Sequence, residues 1–148
     1  MSKRPVVVRV TQRFEQSAER ILDAFLDPKL IGQWMFGKRL RDEEVLSIRL
    51  EPRVDGEFSY VVKRQNQEIN HSGTFIELIR PTRLAFTWGV MDAPSAKSHV
   101  IVEIFPDTKG CDLTLTHELH PDWADFKTRT EAGWTKMLGV LAKVLSES

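Results

Sequence analysis

Near Pro121 the hydrophobic period of this chain changes from two residues to between three and four, and that change constrains the fold more than any other feature. Beyond it, Phe126, Thr130, Gly133, Trp134, Met137, Leu138, Leu141, Val144 and Leu145 recur at helical spacing. They predict one amphipathic helix of about twenty residues. Before it, apolar residues alternate in six short runs: Leu46, Ile48 and Leu50; Phe58, Tyr60 and Val62; residues 69–79; Leu84, Phe86 and Trp88; Val100, Val102 and Ile104; and Leu113, Leu115 and His117. Turn-forming stretches separate them, among them Asp55-Gly56, residues 64–67, residues 80–83, residues 91–97 and residues 106–110. Six period-two runs with tight connections predict an antiparallel meander.

Ahead of the meander, Val6, Val8, Val10, Gln12 and Phe14 alternate with Val7, Arg9, Thr11 and Arg13, as a strand with one inward face does. Ser17 is a good N-cap for a helix whose apolar face is Ile21, Leu22, Phe25 and Leu26. Asp27-Pro28 ends that helix and starts a second, with Leu30, Ile31 and Trp34 on its inner side. The order strand, two helices, six strands, long helix defines an α+β protein. Its sheet must cover its apolar side, and the C-terminal helix is the only element long enough to do so. A curved sheet and a straight helix diverge at their ends, so the geometry tends to leave a concave apolar site for a small molecule. Gly133 costs about 1 kcal/mol relative to Ala inside a helix. It predicts a close approach of backbone to a neighbouring strand.

The 148 residues fit one domain, residues 1–148, large enough to hold a core without disulfide or metal. The 21 basic and 21 acidic residues cancel and neither sign is clustered, which argues against a nucleic-acid-binding surface. Cys111 is the single cysteine, so a disulfide framework is excluded. The apolar run at residues 6–8 is too short for a signal peptide, and no later run approaches a membrane span. The expected compartment is the cytoplasm.

Six segments, in order, carry a family resemblance: Asp27-Pro28-Lys29-Leu30-Ile31-Gly32-Gln33-Trp34; Asp55-Gly56-Glu57-Phe58; Gly73-Thr74-Phe75-Ile76-Glu77-Leu78; Pro81-Thr82-Arg83-Leu84-Ala85-Phe86-Thr87-Trp88; Leu113-Thr114-Leu115-Thr116-His117; and Gly133-Trp134 followed by Leu138. In these the chain resembles the START-like, or SRPBCC, superfamily and, within it, the activator of heat shock protein 90 ATPase homologue family. The resemblance implies a helix-grip (birch-pollen-allergen-like) fold, with about seven strands curved around the C-terminal helix and a ligand cavity between them. It implies less about activity, since that superfamily includes lipid carriers, hormone receptors, polyketide cyclases and co-chaperone domains. The chain departs from the family after Trp34, where Met35-Phe36-Gly37-Lys38 stands in place of a second Trp and Gly-Pro, near the expected cavity mouth.

No motif for catalysis stands out. His117 and His120 are three apart at a strand end, so they face opposite sides and do not form the zinc-protease pair. Neither a metal nor a cofactor is expected. His117 shares its face with Leu113 and Leu115, and a buried imidazole there needs a partner: a ligand, a backbone carbonyl or a water. His71 falls on one face with Gly73, Phe75 and Glu77, so His71, His117 and Glu77 could act as acid and base groups if they converge. Otherwise Glu77 is a solvated or hairpin-bridging carboxylate. Cys111 reads as a structural thiol, and Ser72, Ser95 and Ser98 lack a nucleophile elbow. Trp34, Tyr60, Phe75, Trp88, His117, Trp134 and Leu138 form the expected ligand-binding set. The first functional reading is a binding protein for a small hydrophobic or aromatic molecule. The second is a cyclase- or dehydratase-like enzyme using His117, Tyr60 and His71. The third is a chaperone-contacting module with an exposed patch around Trp123 and Phe126.

Overall fold

The computed structural model describes residues 6–90 and 98–147, so the N-terminal residues and the connection expected at 91–97 lie outside the described residues. The elements follow the expected order: β1 (Val6–Phe14), α1 (Ala18–Leu26), α2 (Pro28–Trp34), β2 (Glu44–Leu50), β3 (Glu57–Arg64), β4 (Gln67–Ile79), β5 (Arg83–Val90), β6 (Ser98–Pro106), β7 (Cys111–Leu119) and α3 (Lys127–Ser146). A 3₁₀ turn, Pro121–Phe126, leads into α3. The seven strands form one antiparallel sheet in the order β1-β7-β6-β5-β4-β3-β2. It is a meander from β2 to β7, with β1 laid along its last strand.

Local chemistry sets the two short helices. Ser17 accepts a hydrogen bond from the Arg20 N–H at 3.2 Å, capping α1. Asp27 accepts from the Lys29 N–H at 2.9 Å and Pro28 takes the first position of α2. Trp34 ends α2 fully buried, its indole N–H donating to the Ala24 carbonyl at 2.9 Å and its ring edge-on to Phe25. The sequence-expected inner faces of β1, β3, β6 and β7 are buried, among them Val8, Phe14, Phe58, Val62, Val102 and Leu115.

Two β-bulges change the faces read from strict alternation. In β2 the register shifts between Val45 and Ser47, so Val45, Ile48 and Leu50 pack on the core while Leu46 is turned out. In β4 the register shifts between Phe75 and Glu77. Phe75 stays in the core, and Glu77 moves to the outer face, where it pairs with Arg83 across the β4–β5 hairpin. The expectation that Glu77 shares a face with His71 and Phe75 is therefore corrected, and its alternative role as a hairpin-bridging carboxylate holds.

The apolar stripe of α3 is shorter than its sequence periodicity. Trp134, Leu138, Leu141, Val144 and Leu145 are buried, against β1 and α2, but the first turns of the helix are exposed and Phe126 lies in the preceding 3₁₀ turn, 36% exposed. Gly133 is a further correction. A Cβ added there would meet only the Met137 methyl, at 4.0 Å, so no strand backbone approaches it. The close approach falls instead at Gly73 in β4, where a Cβ would collide with the Thr87 backbone carbonyl and the Phe58 ring.

Candidate functional site

Where α3 leaves the sheet, a cleft of about 520 Å³ opens. Its apolar lining comes from Met35, Phe36 and Leu40 after α2, Trp88 and Val90 at the end of β5, and Met137 of α3. Gly133 lines it too, which gives its lack of a side chain a physical reason: any larger residue would stand in this space. The Phe36 and Trp88 rings lie nearly parallel, 15° apart in plane and 6.3 Å between centroids. The His71 imidazole sits against both, at 4.9 and 5.4 Å.

Among the described residues the polar lining is basic: Arg41, Arg64, Arg129 and Lys136, with His71. Glu43, whose side chain is fully buried, lies behind Arg41 and Arg64. One carboxylate oxygen accepts from Arg41 at 2.9 Å and from the Gly37 N–H at 2.8 Å, and the other accepts from Arg64 at 2.7 and 3.1 Å. Burial alone would raise the Glu43 pKa, but the Gly37 N–H and the two guanidiniums outweigh it and hold the carboxyl below its ordinary value. Lys136 donates to the Leu40 carbonyl, tying α3 to the segment after α2.

The sequence-expected set divides between this cleft and the core. Trp88 lines the cleft. Tyr60 and Phe75 lie behind it, each packed on Phe58, and burial pushes the Tyr60 phenol well above its ordinary pKa. Trp34 and Leu138 are fully buried. His117 and Trp134 meet each other: the Trp134 indole N–H donates to His117 Nδ1 at 2.9 Å, and His117 Nε2 lies 2.6 Å from Ser98 Oγ.

That contact fixes the His117 tautomer. An indole N–H only donates, so Nδ1 is the acceptor and the ring proton resides on Nε2. Nε2–H then donates to Ser98 Oγ, and the Ser98 hydroxyl donates onward to the Trp88 carbonyl at 3.1 Å. The chain of bonds runs one way, from α3 through β7 and β6 to β5. The expected partner for His117 was a ligand, a carbonyl or a water; two side chains, Trp134 and Ser98, take that place. His71 differs. Its Nδ1 must donate to the Tyr60 carbonyl, 3.2 Å away, which leaves Nε2 as an acceptor without a partner among the described residues. His71, His117 and Glu77 do not converge.

Both imidazoles titrate near pH 4. Burial is the main cause in each; His99 adds to it at His117, and at His71 the bond to Tyr60 opposes it only in part. An unfolded histidine titrates near 6.5, so the unfolded chain takes up these protons first. The stabilisation from keeping the two rings neutral is complete above about pH 6.5 and is lost as pH falls toward 4. The urea midpoint should therefore drop between about pH 6.5 and about pH 4.5, and His117→Gln should flatten that drop. A wild-type midpoint constant across this window would contradict the assignment.

Cys111 is fully buried and donates to the Gln16 carbonyl at 3.6 Å, and burial raises its pKa, as suits a structural thiol. Among the described residues no three His, Cys, Asp or Glu side chains are grouped to hold a metal ion. No described helix is long and apolar enough to cross a membrane. Phe126 packs at a tilt against Trp123, 4.8 Å between centroids, under the Arg129 guanidinium.

A seven-stranded antiparallel sheet gripping one long helix, with two short helices after the first strand, is the helix-grip fold of the START-like class. The chain belongs to the Activator of Hsp90 ATPase homolog 1-like protein family, whose model matches residues 15–146. It is similar in fold to a crystal structure from Chromobacterium violaceum, with 24% identity, TM-score 0.79 and coverage of 93% of this chain and 95% of that one. A Rhodobacter sphaeroides structure has 17% identity, TM-score 0.82 and coverage of 95% and 93%. One from Rhizobium loti has 21% identity, TM-score 0.77 and coverage of 93% and 95%. No curated protein sequence matches the chain.

Proposed function

We propose that this protein binds a small apolar or aromatic molecule in the cleft between α3 and the β3–β5 part of the sheet. The observation that carries this reading is the open space at Gly133, faced by the parallel rings of Phe36 and Trp88. A helix gains about 1 kcal/mol by exchanging an interior Gly for Ala, so the glycine stands here against helix propensity. The volume of about 520 Å³ falls in the usual range for small-molecule sites. Binding without turnover is preferred to the cyclase or dehydratase reading because His117 is committed to Trp134 and Ser98, leaving His71 as the one imidazole on the cleft.

Gly133→Leu tests the proposal, because it fills the cleft and suits the helix. The variant should fold with at least wild-type thermal stability. Native mass spectrometry of wild-type protein should release a discrete small molecule on denaturation, and the variant should carry none. The same molecule retained at full occupancy in Gly133→Leu would rule out this cleft as the site.

A further inference from the structure

We infer that the cleft's ligand is an aromatic or apolar molecule with one anionic head, a carboxylate, seated on the α3 side between Arg129 and Lys136. This rests on the cleft-binding reading and goes beyond it by giving the ligand a charge. The sequence is neutral, with 21 basic and 21 acidic residues, yet among the described residues the cleft is lined by Arg41, Arg64, Arg129 and Lys136 and by no acidic side chain. Glu43 offsets one of these four charges, leaving three. Neither Arg129 nor Lys136 has a carboxylate partner among the described residues. Arg129 lies against the Phe126 ring, and Lys136 donates to a neutral carbonyl.

The other side of the cleft directs the head away from it. His71 is neutral at physiological pH, and its free Nε2 presents a lone pair, which repels a carboxylate and would accept from a ligand O–H or N–H. Phe36 and Trp88 give a flat aromatic body its contact surface. An apolar body against these rings with its charge toward α3 therefore gives Arg129 and Lys136 the carboxylate they lack and keeps that charge away from the His71 lone pair. A neutral hydrocarbon would leave two cations beside it without a counter-charge.

Two probes that share one naphthyl body separate the charged head from the apolar contact: 2-naphthoate and 2-naphthalenemethanol, titrated calorimetrically into the full chain. In about 50 mM NaCl the carboxylate should bind roughly tenfold tighter than the alcohol, and most of that advantage should vanish in about 500 mM NaCl. In Arg129→Gln/Lys136→Gln the carboxylate should fall to the affinity that the alcohol has for the same variant. Both substitutions are on solvent-reached positions of α3, and circular dichroism checks that the variant is folded. Equal binding of the two probes to wild type, or a carboxylate preference that survives the double substitution, overturns the anionic head and leaves the apolar-site reading standing. Binding of neither probe overturns both.

Discussion

Glu43→Ala should destabilise the protein by roughly 3 kcal/mol, although it removes a residue from the acidic run Asp42-Glu43-Glu44. The carboxylate has no exposed side-chain surface and serves three donors at once: Arg41, Arg64 and the Gly37 N–H. Truncation leaves two like charges facing each other and a backbone donor without its acceptor. Loss of one partner from a buried ion pair costs about 3–5 kcal/mol, and the lower end applies because both guanidiniums still reach water. Urea unfolding followed by tryptophan fluorescence at about pH 7 measures it, and a loss below about 1 kcal/mol would mean that the triad contributes little. Glu43→Gln should fall between the two, since an amide oxygen can still accept from Gly37 but carries no charge. The effect has a pH signature as well. A carboxyl held below its ordinary value stabilises fully above about 4.5 and loses that contribution as pH falls through its folded value, so the variant's deficit should narrow in acid.

The second large effect is at Trp134. Trp134→Ala should cost roughly 3–5 kcal/mol, the range for deleting a buried aromatic ring. Only 2% of Trp134 is exposed; it packs 6.0 Å from Trp88 and donates to His117. Packing and hydrogen bonding can be separated with Trp134→Phe, which keeps most of the ring but removes the N–H. It leaves Nδ1 of a buried histidine unpartnered, so it should cost about 1–3 kcal/mol. It should also raise the His117 pKa from about 4, because a protonated Nδ1 no longer faces an indole N–H. The histidine ring resonances, followed by NMR across an acid titration, report this directly. A His117 pKa unchanged in Trp134→Phe would show that the indole bond does not set its charge state.

The architecture could be read in the sequence because each element carries its own period, cap or turn. Ser17 and Asp27-Pro28 mark helix starts whatever lies around them, and the inner face of β1 follows from alternation alone. What alternation misses are the bulges: one extra residue swaps the faces beyond it, which is why Leu46 and Glu77 stand outside. The cleft was legible in part. Trp88 was among the expected lining residues, and the unusual Met35-Phe36 segment was placed near the mouth. Arg129 and Lys136 gave no signal, since charges on the polar side of an amphipathic helix read as solvated. Glu43 gave less still. Its burial depends on Arg64, which lies at the far end of β3, and no local spacing reveals such a partner. Ser98, set aside for want of a nucleophile motif, is a structural link between His117 and Trp88.

The strand order has a temporal side. Val6 pairs with Leu119 and Phe14 with Cys111, so among the described residues the first strand of the sheet in chain order has its ladder partner in the last. Strands β2 to β7 can zip hairpin by hairpin as they emerge, each closing a short loop. Strand β1 must wait, its ladder groups satisfied by water, until β7 exists. Loop-closure entropy grows only with the logarithm of length, so the wait costs little in stability. Its weight falls on rate, because a contact between distant segments forms late. Docking of β1 thus follows the synthesis of β7, and a chain stopped before β7 keeps an unpaired edge for as long as it is held there.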